Sequence, residues 1–349
     1  MNTTATTGLV LGKYAPFHKG HQLVLETALR ETTRVICLIY DTPLTDAPLQ
    51  VRASWIKRLH PQAALTVIPC WDGPDGYGLD PENEKRQNDY ILKVLNERLH
   101  GQRITHFFSS EPYGASVARA LGAKDCRVDE ARARVPVSGT KIRENPFQHR
   151  AFLAPEVYSD LITRVVFMGA MSTGKTTLAQ TLAARYQTAW MPEYGREYWE
   201  KHQKNRRIAL DAFDAIATGH IEREDRLIME ANKYLFVDTN AITTYVFAQD
   251  YHGHAPALLT TLAQKAQTRY DLFFLCEDDI PYDNTWDRSG DQKRHWFQRM
   301  VTADLAERRI PYIRLRGPLE ERIAKVTAIL ARFKKFHSLA ETIAPAEIS

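Results

Sequence analysis

Nothing in this chain is long and apolar enough to cross a bilayer: its longest hydrophobic runs, such as Val35–Tyr40, have the length of a strand. A secretory leader is missing as well, since the opening residues MNTTATTG hold neither a basic region nor an apolar one. Cysteine is scarce. The four present, Cys37, Cys70, Cys126 and Cys276, are scattered with no C-x-x-C pair. That argues against a zinc site or a disulfide framework and suits a reducing, cytoplasmic setting. An excess of one charge is also lacking. Lys and Arg number 46 against 42 Asp and Glu, a net +4, far short of a nucleic-acid arm or a membrane-binding surface. The small positive balance fits anionic small substrates. No internal repeat and no low-complexity tract is found, and only the last residues, 340–349, read as a frayed tail.

What is present is the make-up of ordinary globular protein, 44% hydrophobic and 25% charged over 349 residues, enough for about two domains of roughly 150 residues. Short apolar runs alternate with longer helix-compatible stretches. Gly8–Gly12, Val35–Tyr40, Leu65–Ile68 and Ile104–Phe108 read as strands, with helices over Gln22–Glu31, Val51–Leu59 and Asn88–Leu99 between them. The pattern restarts near residue 160: Arg164–Met168, Tyr234–Asp238, Leu272–Leu275 and Tyr312–Leu315 are strands, and Thr177–Tyr186 is a helix. This alternation predicts an α/β protein with two doubly wound parallel-sheet domains. The breaker dipeptides Asn145-Pro146 and Ala154-Pro155 place the boundary between them, giving domains at 1–155 and 160–349.

The clearest motif is Gly169-Ala-Met-Ser172-Thr173-Gly174-Lys175-Thr176, a match to G-x-x-x-x-G-K-[ST] lying between a strand and a helix. Glycines let the backbone N–H groups turn inward around phosphate oxygens, and the helix N-terminus, continuing into Thr177, adds positive partial charge. Lys175 is expected on the β- and γ-phosphates and the Thr176 hydroxyl on Mg²⁺. Asp238, ending an apolar strand, has the place of a second metal acid, the alternative being a turn or capping Asp. Glu193, ending a short strand, is a candidate base for an acceptor hydroxyl, the alternative being a surface carboxylate. Trp286 and Arg288 lie in a polar segment with the character of a lid. Arg288 would neutralise charge on the phosphoryl group in transfer, and Trp286 would stack on a base; a surface Arg and a core Trp are the plain alternatives.

The other half opens on Gly12-Lys13-Tyr14-Ala-Pro-Phe-His18-Lys-Gly20-His21, a His-x-Gly-His pattern at a strand-to-helix turn. Two imidazoles near a helix N-terminus can hold a polyphosphate and stabilise departing pyrophosphate. Gly20 permits close backbone approach. At the far end of the same half, Ser138-Gly-Thr140-Lys-Ile-Arg143 puts small donors and a cation together. Ser138 can equally be a helix cap. Lys13 is a further phosphate candidate. Ser110, in the loop after Ile104–Phe108, is placed for nucleotide contact. Trp71, after Leu65–Ile68, is either a stacking ring for an aromatic substrate or a core residue.

Together, Gly12–His21 and Ser138–Arg143 resemble the (H/T)xGH and SxTxxR signatures of the nucleotidyltransferase superfamily. With Ser109–Gly114 they resemble the Rossmann-like adenylyltransferase half of NadR-type bifunctional enzymes. In the second half, Glu193-Tyr194-Gly-Arg196-Glu197, Val237–Thr244 and Asp287-Arg288-Ser289 resemble the P-loop ribosylnicotinamide kinase half. The similarity spans about residues 8–335. It implies that Glu193, Tyr194, Arg196, Asp238 and Trp286 bind the acceptor. It also implies two reactions: phosphorylation of nicotinamide riboside to NMN by ATP, and adenylylation of NMN by ATP to NAD and pyrophosphate. The second is an in-line attack with no covalent enzyme intermediate, and no nucleophilic triad spacing stands out. Mg²⁺ is the implied cofactor. The implied partners are ATP, nicotinamide riboside, NMN and NAD, with no nucleic acid and no membrane, and self-association is left open. Two departures stand out. The chain starts on its first strand, with no helix-turn-helix of the kind some members carry, and Asn240 stands where a second acid is expected. Two other readings remain: a CoA-pathway adenylyltransferase–kinase fusion, and an NAD- and ATP-binding regulator whose sites are slow.

Overall fold

A computed structural model describes residues 5–61, 63–74, 80–204, 208–282 and 291–336. The expected Trp286 and Arg288, with Asp287 and Ser289, lie outside the described residues. Two compact units emerge, Met1–Val157 and Tyr158–Lys335, and Phe336, the last described residue, groups with the first.

In the first unit, β1 (Thr7–Gly12), β2 (Arg34–Tyr40), β3 (Leu65–Cys70), β4 (His106–Ser109) and β5 (Lys124–Arg127) form one sheet in the order β3-β2-β1-β4-β5. Every pairing is parallel, with Leu9 opposite both Ile36 and Phe107. A parallel sheet is covered on both faces, so its inner strands must be apolar on both. That is why β2 reads RVICLIY and buries every residue after Arg34. The helices α1 (Lys19–Glu31), α2 (Leu49–Leu59), α3 (Pro81–Leu99), α4 (Gly114–Leu121) and α5 (Gly139–Glu144) cover it. Leu9, Ile36, Leu38, Tyr90, Val94 and Phe107 share one core. The start of α3 is fixed locally: Asp80 accepts from the Asn83 N–H at 3.0 Å and Pro81 takes the first helical position. Edge strand β5, KDCR, is polar and half-exposed, so no apolar run announces it.

Helix α6 (Pro155–Leu161) leads into the second unit, where β6 (Thr163–Met168), β7 (Trp190–Met191), β8 (Tyr234–Asp238), β9 (Leu272–Cys276) and β10 (Ile313–Leu315) run in the order β10-β9-β6-β8-β7. These pairings are also parallel. Helices α7 (Lys175–Tyr186), α8 (Tyr194–His202), α9 (Ala212–Leu227), α10 (Ala241–His252), α11 (Ala257–Arg269), α12 (Asp291–Glu307) and α13 (Leu319–Arg332) flank the sheet. Phe167 stacks between Phe236 and Phe274 at centroid distances of 6.1 and 5.8 Å. Burying each such ring contributes roughly 1.5–3 kcal/mol.

Both halves are therefore α/β units on parallel sheets. In each, strand order reverses beside the first strand, β1 or β6, and ligands of such sheets bind outside the carboxyl ends of the strands at that point. No described helix is long and apolar enough to cross a membrane.

Candidate active sites

The loop from β6 to α7 carries the second unit's site. Gly169 sits at φ 134°, and a Cβ there would come within 2.4 Å of the Cys276 carbonyl oxygen, so only glycine fits. Gly174, at φ 78°, precedes α7 and gives it no side-chain cap, leaving the first N–H groups of the helix for an anion. Thr173 Oγ1 donates to the Ala170 carbonyl at 2.8 Å, and Lys175 Nζ donates to the same oxygen at 2.8 Å. The Ala170 N–H is held by Gln298 Oε1 at 2.7 Å. Arg322, 3% exposed, donates to the Thr173 carbonyl at 2.6 Å and to Asp279 at 2.6 Å.

Across from this loop, Asp238 is fully buried and its Oδ2 accepts from Thr176 Oγ1 at 2.5 Å, while Oδ1 has no hydrogen-bond partner. Burial, and after it the Glu193 charge, push the Asp238 carboxyl up to about 7; Lys175, Thr176 and Arg196 pull the other way. The hydroxyl and the orphaned carboxylate oxygen are hard donors that suit a small divalent cation otherwise held by water and phosphate. Among the described residues no group of three His, Cys, Asp or Glu could hold a metal alone. Asn240, read against an expected acid, has a structural duty: its Oδ1 caps α10, accepting from Ile242 N–H at 3.0 Å and Thr243 N–H at 3.4 Å.

A cavity of about 530 Å³ runs from Ser172–Thr177 along Glu193 and Arg196 to a wall of Trp199, Phe213, His220, Thr243 and Tyr251. Tyr194, expected on the acceptor, does not line it; the Arg223 guanidinium covers its ring at 4.0 Å. Glu197 pairs with Lys201 and Arg223 at 2.7 and 2.5 Å, fixing α8 to α9. Sequence reasoning missed Trp199, Phe213, His220 and Tyr251. They lie on helices with no motif, and an aromatic on an amphipathic helix looks the same whether it faces a core or a cavity.

In the first unit, the turn after β1 brings His18 and His21 together, their rings stacked at 3.7 Å. His18 is the N-cap of α1: its Nδ1 accepts from the Gly20 N–H at 3.1 Å, and His21 Nδ1 accepts from the His18 N–H at 3.4 Å. Backbone donors on both Nδ1 atoms leave the proton of each neutral ring on Nε2. Burial, then the charges of Arg132 and Arg143, lower His18 to about 4. Burial and the His18 charge lower His21 too, against a backbone hydrogen bond at Pro16. Both rings are thus neutral donors near pH 7.

A cavity of about 70 Å³ joins His18, Gly20 and His21 to Ser110, Arg132 and Ser138. Arg143 donates to the Ala15 carbonyl at 2.7 Å and to Thr140 Oγ1 at 3.1 Å, tying α5 to the turn. Ser138 is both cap and lining residue: its Oγ accepts from the Lys141 N–H at 3.3 Å. Tyr14 differs from its expected nucleotide role. The residue is 5% exposed, its ring meets His21 edge-on at 5.0 Å, and its hydroxyl accepts from Cys37 Sγ at 3.5 Å. A Cβ on Gly12 would meet that ring at 3.1 Å. The Lys13 carbonyl is held by buried Arg52, which also donates to the Tyr40 carbonyl at 2.9 Å. Trp71 is neither core nor lining: it is 56% exposed and borders none of these cavities. Arg132 escaped the sequence reading because it stands in an irregular loop shaped by Asp129, which accepts from the Arg134 and Val135 N–H groups at 2.9 Å.

Known proteins are similar to this chain in sequence and in fold. The family described as AAA domain matches residues 164–322. The trifunctional NAD biosynthesis/regulator protein NadR of Escherichia coli (strain K12) is 28% identical over 327 residues, covering 89% of this chain and 78% of the relative. The crystal structure of a NadR protein in complex with NAD and AMP-PNP aligns with a TM-score of 0.52 at 22% identity, covering 99% of each chain. A NadR protein in complex with NR aligns with a TM-score of 0.52 at 24% identity over 97% of this chain and 99% of that one.

Proposed function

We infer, from the premise that this chain is a homologue of the NadR proteins, that it is a bifunctional enzyme of NAD salvage with one ATP-using site in each unit. The second unit phosphorylates nicotinamide riboside to NMN, and the first joins NMN to the adenylyl group of ATP, releasing pyrophosphate. The observation that carries this reading is the pairing in one chain of a set of buried Lys175, exposed Thr176 and buried Asp238 with a separate His18–His21–Arg143 set, each beside its own cavity.

In the phosphotransfer site the loop N–H groups cradle the triphosphate, and Lys175 leaves the Ala170 carbonyl to reach its terminal phosphates. Thr176 and Asp238 would hold Mg²⁺, which neutralises charge on the phosphate oxygens when bound. Glu193 lines the cavity, and its charge acts on the Asp238 carboxyl. If Mg²⁺ takes Asp238, Glu193 is left to receive the acceptor's proton, while Arg196 offsets the phosphoryl charge. In the adenylyl-transfer site no side chain needs to form a bond. The His18 and His21 Nε2–H groups and Arg143 hold the polyphosphate, so that charge building on the leaving pyrophosphate meets donors already in position.

Product analysis of the full chain with ATP, Mg²⁺ and nicotinamide riboside tests the reading. NMN first, then NAD with one pyrophosphate per NAD, is expected. NAD binding without turnover would favour a regulatory protein, and turnover of phosphopantetheine instead would favour the CoA-pathway fusion.

A further inference from the structure

The cavity beside the phosphate loop contains two buried polar groups that the protein leaves unsatisfied. His220, in α9, is 3% exposed and its Nε2 has no hydrogen-bond partner. Thr243, in the first turn of α10, is 3% exposed and its Oγ1 has none either. Both line the cavity shared with Trp199, Phe213 and Tyr251. A helical Thr ordinarily returns its hydroxyl to the carbonyl four residues back, as Thr244 does to Asn240 at 3.4 Å; Thr243 does not. Leaving a buried donor or acceptor unpaired is costly, and buried polar groups nearly always find partners. Two orphans on one cavity call for a ligand that supplies both.

The chemistry of that ligand follows from the charges around it. Burial, then Arg269 and Arg223, hold His220 down to about 3, so its imidazole is neutral. The two arginines are already engaged, Arg223 with Glu197 at 2.5 Å and Arg269 with Glu224 and Asp225 at 2.9 and 2.7 Å. What remains is a neutral imidazole and a neutral hydroxyl, each able to donate or accept, among aromatic rings. A carboxylate entering beside His220 would bring a charge that neither of these two arginines, each already paired, is free to meet. A carboxamide brings one acceptor and one donor without charge, and the ring positive charge of a pyridine nucleoside suits aromatic faces.

We propose that His220 Nε2 and Thr243 Oγ1 bind the carboxamide of the acceptor's pyridine ring and make the phosphotransfer site select the amide riboside over the acid riboside. This rests on the phosphotransfer reading above, and its test separates the two. The full chain is assayed with ATP and Mg²⁺ on nicotinamide riboside and on nicotinic acid riboside. The wild type should favour the amide in kcat/KM. His220→Leu should raise KM for the amide about tenfold or more, leave KM for ATP unchanged and narrow the amide-to-acid ratio; Thr243→Val should do the same more weakly. His220→Gln, which keeps a donor and an acceptor, should restore part of the preference. Because neither group has a partner within the protein, neither variant should lower the melting temperature of the ligand-free chain. An unchanged amide-to-acid ratio in both variants would overturn the assignment while leaving the kinase reading standing. A wild type that binds an ATP analogue but phosphorylates neither riboside would overturn both.

Discussion

The turn after β1 enters its helix through His18, whose own ring caps α1 by taking the Gly20 N–H, whereas the loop after β6 enters through Gly174, which offers no side-chain cap at all. In the first case the imidazole Nδ1 atoms accept backbone N–H groups; in the second no side chain caps the start of the helix. Both turns are anchored from behind by a buried guanidinium on backbone carbonyls, Arg52 on Lys13 and Arg322 on Thr173. The contrast teaches that an anion site at a strand-to-helix turn can be made of side chains or of backbone, and that the two should fail differently. The side-chain site depends on imidazoles that stay neutral, the backbone site on a lysine and a buried acid.

The sharpest way to break the comparison is to remove a charge from one site and read both reactions. Lys175→Ala takes the only loop cation from the phosphates. NMN formation should fall about 10³-fold, with NAD formation from supplied NMN unchanged. His21→Ala should do the reverse, lowering NAD formation about 10²-fold and sparing riboside phosphorylation. Either variant depressing both activities, with circular dichroism showing the fold intact, would mean that the sites are not separate.

A pH series is the next largest effect. Asp238 stands at about 7. Its carboxylate, which the cation needs, is fully present above that pH and is lost below it. The kcat/KM for ATP in the phosphotransfer reaction should therefore drop about tenfold per unit as pH falls below 7 and level off above it. His18 stands at about 4 and keeps one charge state from pH 5 to 8. The adenylyl-transfer profile should be flat over that range. Parallel profiles would remove the distinction drawn between the two sites.

Much of this was open to reading in the residues. Strands such as Tyr234–Asp238 announce themselves because a parallel sheet demands apolar residues on both faces, and Gly169 and Gly174 because positive φ angles favour glycine. The polar edge strand Lys124–Arg127 gave no such signal. In the sites, motif residues are legible where chemistry fixes spacing along the chain, as with Lys175 and Thr176. Arg52 reaches Lys13 across 39 residues and Arg322 reaches Thr173 across 149, Arg132 stands in an irregular loop and His220 on a helix without a motif, and only folding brings them to the turn, the loop or the cavity. Tyr14 taught the converse: its position in the motif is right for a ligand, but its ring belongs to the core.

The smallest predicted effect probes how finely the side-chain site is set. Gly20 has no positive φ to preserve, so Gly20→Ala carries no backbone strain. Its new Cβ, however, would stand 3.0 Å from His18 Cε1 and 3.1 Å from His18 Nδ1, the atom that accepts the Gly20 N–H. The imidazole has to shift by a few tenths of an ångström, its Nδ1 bond lengthens, and Nε2 moves with it. The melting temperature should stay nearly constant, since Ala inside a helix is favoured over Gly by roughly 0.5–1 kcal/mol. NAD formation should still fall several-fold, because donors aimed at a developing charge lose most of their effect when displaced. Unchanged NAD formation would mean that His18 has slack in its placement, and that the first site grips its polyphosphate mainly through Arg132 and Arg143.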